Sequence, residues 1–173
     1  MKLYYLIIFL ILLQRLLELK KSNKNVRKLK ERGAKEFGRG HLWIMKALHI
    51  SWFFVLIFYP LYLPRKTIKL EYLICILLLI AACQVIRFLV FRTLGPRWSI
   101  PVLAMKGEAP VKSGLYKYLK HPNYLVVFLE LLLFPMIIGM WEVGVTFFLL
   151  NLYLMYFRLK AENSALHWMS TID

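Results

Sequence analysis

LEYLICILLLIAACQVIRFLV, residues Leu70–Val90, is apolar almost throughout, without the polar spacing that marks the exposed face of a soluble helix or strand. A helix needs about 20 mostly apolar residues to cross the hydrocarbon core of a bilayer, so this stretch reads as a membrane span. Leu42–Leu63 meets the same requirement. Working outward, Leu3–Leu13, Leu125–Met140 and Val143–Phe157 form three shorter apolar blocks. The last two are short for a crossing unless each runs into its flank, so tilt, local thinning or shared packing is expected of them. They are joined by Gly139-Met140-Trp141, compact enough for an antiparallel hairpin, with Trp141 suited to the interface. With 60% hydrophobic residues and mean hydropathy +0.59, the chain predicts an all-α integral membrane bundle of about five transmembrane helices, the last two a helical hairpin.

A net charge of +15 would suggest nucleic acid in a soluble protein, but its distribution argues for a membrane. Lys20–Arg39 carries nine Lys or Arg residues and Arg92–Lys120 six more, whereas the Pro64–Lys69 turn has three. If both basic segments face the cytoplasm, five spans put the N-terminus outside and the C-terminus inside, as expected in a bacterial plasma membrane. The charge then serves topology and attraction to anionic lipids, and no nucleic acid partner is expected. Met1–Leu19 lacks a small-x-small cleavage site and reads as an uncleaved first span rather than a signal peptide. Cys75 and Cys83 lie within the third span, match no metal or redox spacing, and indicate no disulfide framework.

The chain divides into residues 1–90, three spans with a basic loop, and residues 91–173, a basic loop, the hairpin and a short tail. Gly33, Gly38 and Gly40 punctuate a partly helical first loop. Gly95-Pro96, Pro101, Gly107, Pro110 and Gly114 predict an irregular second one. No internal repeat, low-complexity tract or heptad pattern is visible.

Polar groups gather at the two ends of the hairpin. GLYKYLKHPNYL, Gly114–Leu125, precedes it, and Arg158-Leu-Lys-Ala-Glu162 follows it. Pro122 suits the first turn of a helix and biases His121 away from helical geometry. The imidazole thus stands beside backbone N–H groups that lack intrahelical partners and that attract carboxylates. The tetrapeptide His121-Pro122-Asn123-Tyr124 reads equally as a helix cap with Tyr124 as an aromatic anchor. Arg158 and Glu162 share a helix face, with Asn151 two turns back on it. That pair is either a surface ion pair or, since the hairpin returns Glu162 beside His121, half of a site.

Glu130, inside LVVFLELLLFP, is an intramembrane carboxylate and should face the bundle interior with a partner. Asn151, Gln84 and His49 are the candidates, and a clasp between helices is the favoured role. Arg15, Glu18, Lys46 and Arg87 lie near span ends and are expected to snorkel. There is no GxGxxG, P-loop, HExxH or CxxC, so neither a Rossmann domain nor a metal site is expected.

At these residues the chain resembles the isoprenylcysteine carboxyl methyltransferase family, membrane enzymes that use S-adenosylmethionine (SAM). The family pattern is Gly-x-Tyr, Arg/Lys-His-Pro-x-Tyr, an apolar hairpin, then an Arg followed four residues later by an acidic pair. Here these are Gly114, Tyr116, Lys120, His121, Pro122, Tyr124, Arg158 and Glu162. Asn163 stands at the second acidic position, and Leu115 where a proline is often found. Segments at Gln14–Leu19, Arg32–His41 and Thr93–Trp98 resemble the short bacterial branch. HPNY is also similar to a motif of NADPH-binding membrane sterol reductases, but their Cys-, Tyr- and Trp-containing tail is not matched by Asn163–Asp173.

The resemblance implies a SAM-dependent O-methyltransferase acting on a lipidic acceptor. Tyr116, His121, Pro122, Asn123, Tyr124 and Glu162 are expected at the cofactor and Arg158 at the acceptor oxygen. A prenylcysteine-type carboxylate needs no general base. The enol or phenol hydroxyl of a long-chain alkylpyrone or alkylphenol needs one, and Glu162 or His121 could serve. An NADPH-dependent reductase and a non-enzymatic scaffold or small transporter are the rival readings.

Overall fold

The computed structural model describes residues 2–62 and 66–170. Leu63, Pro64 and Arg65, part of the turn noted above, and the last three residues of the tail lie outside the described residues. Five helices follow one another: α1 Lys2–Glu31, α2 Arg39–Tyr62, α3 Leu70–Leu94, α4 Pro122–Met136 and α5 Trp141–Ser170. By length and composition α2, α3 and α5 can cross a membrane, and α4, with 15 residues, is shorter. Most apolar residues of α1 lie in its first half and most of its charges in the second. At 30 residues, α5 is about 45 Å long against a hydrocarbon core of about 30 Å, so its charged end from Arg158 onward projects past the apolar part.

The outer surface identifies the solvent. Phe9, Leu10, Phe54, Leu78, Phe88, Leu149 and Tyr153 are all exposed on the helices, as expected where acyl chains replace water. Inside, Tyr4, Ile8, Trp52, Leu56, Ile80, Leu131, Phe134 and Phe147 form the main apolar cluster. Side-chain donors tie the helices to each other's backbones: Tyr4 Oη donates to the Leu56 carbonyl at 2.9 Å, and Trp52 Nε1 to that of Leu131 at 3.3 Å. The hairpin is close-packed because of Gly144. A Cβ there would stand 2.6 Å from the Leu132 carbonyl oxygen, so only hydrogen lets α5 approach α4 this closely.

Three expectations are corrected. Arg15, Glu18 and Arg87 do not snorkel. Arg87 and Glu130, each 3% exposed, form a buried ion pair. Arg15 reaches Glu130 at 2.6 Å and Glu18 at 2.6 Å, and Arg87 reaches Glu18 at 3.2 Å. Two cations and two anions on three helices cancel locally, which makes burial tolerable where a lone charge would be driven to the interface. Of the partners expected for Glu130, only Gln84 is found, at 2.8 Å. His49 Nδ1 instead contacts its own helix at Met45 O, and Asn151 is fully buried with neither amide atom partnered among the described residues.

The second correction is a heptad. The buried residues of α1 are Tyr4, Ile8, Ile11, Glu18, Ser22, Asn25 and Leu29, a four–three alternation with half-buried Arg15 filling the gap. Polar residues hold the second half of this seam, so a search for apolar a and d positions passes over it. The third concerns the loops. Lys35–Phe37 (β1) pairs antiparallel with Val102–Ala104 (β2), with Glu36 opposite Leu103. Three-residue strands are too short for alternation to register. This small sheet seats Phe37, Val102 and Ala104 against Ala161, Ala165 and Trp168 of α5, bracing its projecting end. The division placed at residue 90 falls inside α3, which packs along α4.

Candidate active site

At the loop end of the bundle a cavity of about 880 Å³ opens between the start of α4, the end of α5 and the 94–120 loop. This volume falls in the range typical of small-molecule sites, about 300–1,000 Å³. Tyr116, His121, Asn123, Tyr124, Arg158 and Glu162 all line it, as does Asn163. Pro122 is buried at the first position of α4, while Glu130 and Asn151 lie deeper in the bundle and are not on its wall.

Local sequence explains how these side chains arrive. His121 is the N-cap of α4, with φ −134° and ψ 61°, and its carbonyl accepts the N–H groups of Tyr124 at 3.1 Å and Leu125 at 3.3 Å. The Pro122 ring fixes the first turn, so Asn123 and Tyr124 leave the helix at its first turn, where the Asn123 N–H has no intrahelical partner. Tyr116 comes from a single 3-10 turn, Gly114–Lys117. Gly114 has φ +56°, and a Cβ on it would meet Thr93 Oγ1 at 2.6 Å. A side chain at that position would be both strained and in collision, which accounts for the glycine of the Gly-x-Tyr pattern.

The two hairpin ends meet through hydrogen bonds. Tyr124 donates its hydroxyl to Glu162 Oε1, and Arg158 Nε donates to the same tyrosine hydroxyl at 3.0 Å. His121 Nδ1 stands 3.3 Å from Glu162 Oε2, and Arg158 Nε lies 3.7 Å from Glu162 Oε1. The His121 and Tyr124 rings stack at 5.1 Å with only 5° between their planes. The Arg158 guanidinium carbon is 5.8 Å from the centre of the tyrosine ring. Tyr124 is therefore the hub, held by a cation, an anion and an imidazole.

The electrostatics follow from burial. His121 titrates below the usual histidine value, first because it is partly desolvated and then because Lys120 is adjacent, so it is neutral at pH 7. Burial, and secondarily the negative charge of Glu162, push the Tyr116 phenol up to about 12, so it remains an uncharged donor. Asn123 Oδ1 is buried with no partner among the described residues, an acceptor with its hydrogen bond unmade. Such an arrangement can bind a ligand that offers an ammonium or amino group, a carboxylate and a flat apolar part.

Part of the wall had no forewarning in the motifs. Leu94, Arg97, Trp98 and Ser99 line the cavity from one side, and Leu166 and Met169 from the other. The Thr93–Trp98 segment was distinctive in the sequence, but nothing in its residue types assigned it to a site. The short tail expected after the hairpin is instead a helical continuation of α5 to Ser170, which puts Leu166 and Met169 on the cavity wall.

Comparison with known proteins places the chain in a family. A profile of the isoprenylcysteine carboxyl methyltransferase (ICMT) family matches residues 74–168, more than half of the chain and the part that contains every residue of the cluster. The uncharacterized protein YpbQ of Bacillus subtilis (strain 168) is 33% identical over 163 residues, covering 94% of this chain and 96% of its own. No solved structure matches. The chain belongs to the isoprenylcysteine carboxyl methyltransferase family.

Proposed function

We propose that this protein is a membrane O-methyltransferase that takes a methyl group from SAM and transfers it to a lipidic acceptor at the loop-end cavity. The observation that carries the reading is the convergence of Tyr124, Arg158 and Glu162 on one wall of that cavity, at the end of a bundle whose flanks are apolar.

The residues present fit SAM. The unmade hydrogen bond at Asn123 Oδ1 suits an amino group, and Glu162 offers a carboxylate to the same kind of donor. The Asn123 N–H, left free in the first turn of α4, suits a carboxylate, and Tyr116 contributes a neutral hydroxyl. Leu94, Trp98, Leu166 and Met169 supply an apolar surface for a purine ring. When bound there, SAM supplies an electrophilic methyl group on a positively charged sulfur.

The remaining groups act on the acceptor. An anionic oxygen and a cationic sulfur lose their charges together, so a dry cavity does not oppose the transfer once the two are held in line. Among the cations on the cavity wall, Arg158 is the one hydrogen-bonded to Tyr124, which fixes its guanidinium to hold such an oxygen. A carboxylate acceptor needs nothing more. For an enol or phenol, neutral His121 beside Glu162 is placed to accept the proton. The acceptor's apolar tail stays between helices in the bilayer, and SAM reaches the cavity from the cytoplasm, with the N-terminus outside and the C-terminus inside.

The experiment is transfer of labelled methyl from SAM to a panel of lipid acids, phenols and pyrones by the purified protein in lipid nanodiscs. Reporter fusions at both basic loops test the orientation; an external reading at either would overturn it.

A further inference from the structure

The polar half of the α1 seam ends on the cavity wall. Asn25 Nδ2 donates to the carbonyl of Trp98 at 2.8 Å and to that of Gly95 at 3.3 Å. One turn earlier, the fully buried Ser22 Oγ accepts the N–H of Ile100 at 2.9 Å. These bonds link α1 to residues 95–100, the segment from which Arg97, Trp98 and Ser99 face the cavity. The segment holds little regular structure, only the 3-10 turn Gly95–Arg97, so most of its polar backbone groups have no ladder to join. Trp98 is buried against Phe91 of α3, with ring centres 4.2 Å apart. Two turns before Asn25, Glu18 is fixed by Arg15 and Arg87, which sets how far α1 can slide along α3 and α4.

We infer that α1 is a strut for the active site and that Asn25 is its positioning residue, holding the Gly95–Ile100 wall at the depth at which Trp98 and Arg97 can meet the cofactor. The role of this wall rests on the methyl-transfer reading; the role of Asn25 in holding it does not. Asn25 Nδ2 serves both carbonyls; without a donor there the Trp98 carbonyl loses this hydrogen bond in a buried setting, while the Gly95 carbonyl keeps the Trp98 N–H at 3.3 Å. Glutamine carries the same two donors on a stem one methylene longer. Alanine and leucine carry none.

The test compares wild type with Asn25→Ala, Asn25→Leu and Asn25→Gln, with Ser22→Ala as a milder variant that removes a single bond. All are full-length protein in lipid nanodiscs. Hydrogen exchange is read at residues 97–100 and, as a control, at 143–157, and SAM binding is read by calorimetry without acceptor. Losing two hydrogen bonds of about 1 kcal/mol each should speed local exchange and weaken SAM binding by about tenfold or more. Turnover at saturating SAM should stay within about twofold, because no group that touches the reacting atoms is altered. Exchange at 143–157 should not change, and Asn25→Gln should recover most of the affinity. Unaltered exchange at 97–100 in Asn25→Ala overturns the inference. So does faster exchange there with unchanged SAM affinity. If wild type binds no SAM, the methyl-transfer reading fails, and exchange at 97–100 still decides whether Asn25 holds the wall.

Discussion

Arg158 on α5 donates its Nε–H to the hydroxyl of Tyr124 on α4 at 3.0 Å, and the same hydroxyl donates to Glu162 one helical turn further along. One phenol thus sets the orientation of both the cation and the carboxylate at the mouth of the cavity. Arg158→Ala and Glu162→Ala should each lower methyl transfer by about 100-fold or more, the scale of losing a charge-stabilising group in a water-poor site. Tyr124→Phe keeps the ring stack with His121 and removes only the hub hydroxyl, so an intermediate loss of about tenfold is expected, with membrane insertion intact. Full activity in either alanine variant would remove the site.

Arg87 and Glu130 offer a test of the buried charge network. Arg87→Met alone leaves Glu130 and Glu18 with Arg15 as their one remaining cation in the network, and should destabilise the protein by about 3–5 kcal/mol. Arg87→Met with Glu130→Leu removes one charge of each sign and should recover most of that loss. Thermal unfolding in detergent reads both; a double variant no better than the single would argue that the pair is not the unit.

Asn151 has a fully buried amide with neither polar atom partnered. Asn151→Leu, similar in volume, should raise stability by about 1–3 kcal/mol, because the amide bears a desolvation penalty that no group among the described residues offsets. A lower unfolding temperature in the leucine variant would show that the amide is engaged.

Gly144 sets the spacing of the hairpin. Gly144→Val would push a branched side chain against the Leu132 carbonyl and should cost about 1–3 kcal/mol through overpacking. Because α4 and α5 carry the two halves of the cluster, activity should fall with it. A variant with normal activity and stability would contradict the close approach.

His121 gives a pH dependence with a definite sign. Its folded-state value is depressed by burial and by Lys120. The unfolded chain therefore takes up this proton first as the pH falls below the ordinary value of about 6.5, and stability declines on the acid side while staying level above it. Unfolding of wild type and His121→Gln compared from pH 5 to 8 should show a smaller acid decline in the variant. Identical profiles would argue against the depressed value.

Much of this was legible beforehand. Continuous apolar runs require helices in a bilayer, and Pro122, Gly139 and Trp141 mark the hairpin ends, which is enough to bring Glu162 back beside His121. The buried quartet was not legible, because Arg15, Glu18 and Arg87 each look like interfacial residues until the helices are placed side by side. Neither was the strut. Ser22 and Asn25 sit in a lysine-rich stretch that reads as solvated loop, and only the carbonyls of Gly95 and Trp98 reveal why the helix continues through it. The Gly114 requirement needed the position of Thr93, which no spacing supplies.

The most direct measurement is transfer of labelled methyl from SAM to a lipid panel of acids, phenols and pyrones by wild type, Arg158→Ala and Glu162→Ala in nanodiscs, with NADPH binding as the control. Label should pass to at least one lipidic acceptor with wild type and not with either variant. Binding of NADPH in place of SAM, or methyl transfer undiminished in either variant, would contradict the assignment.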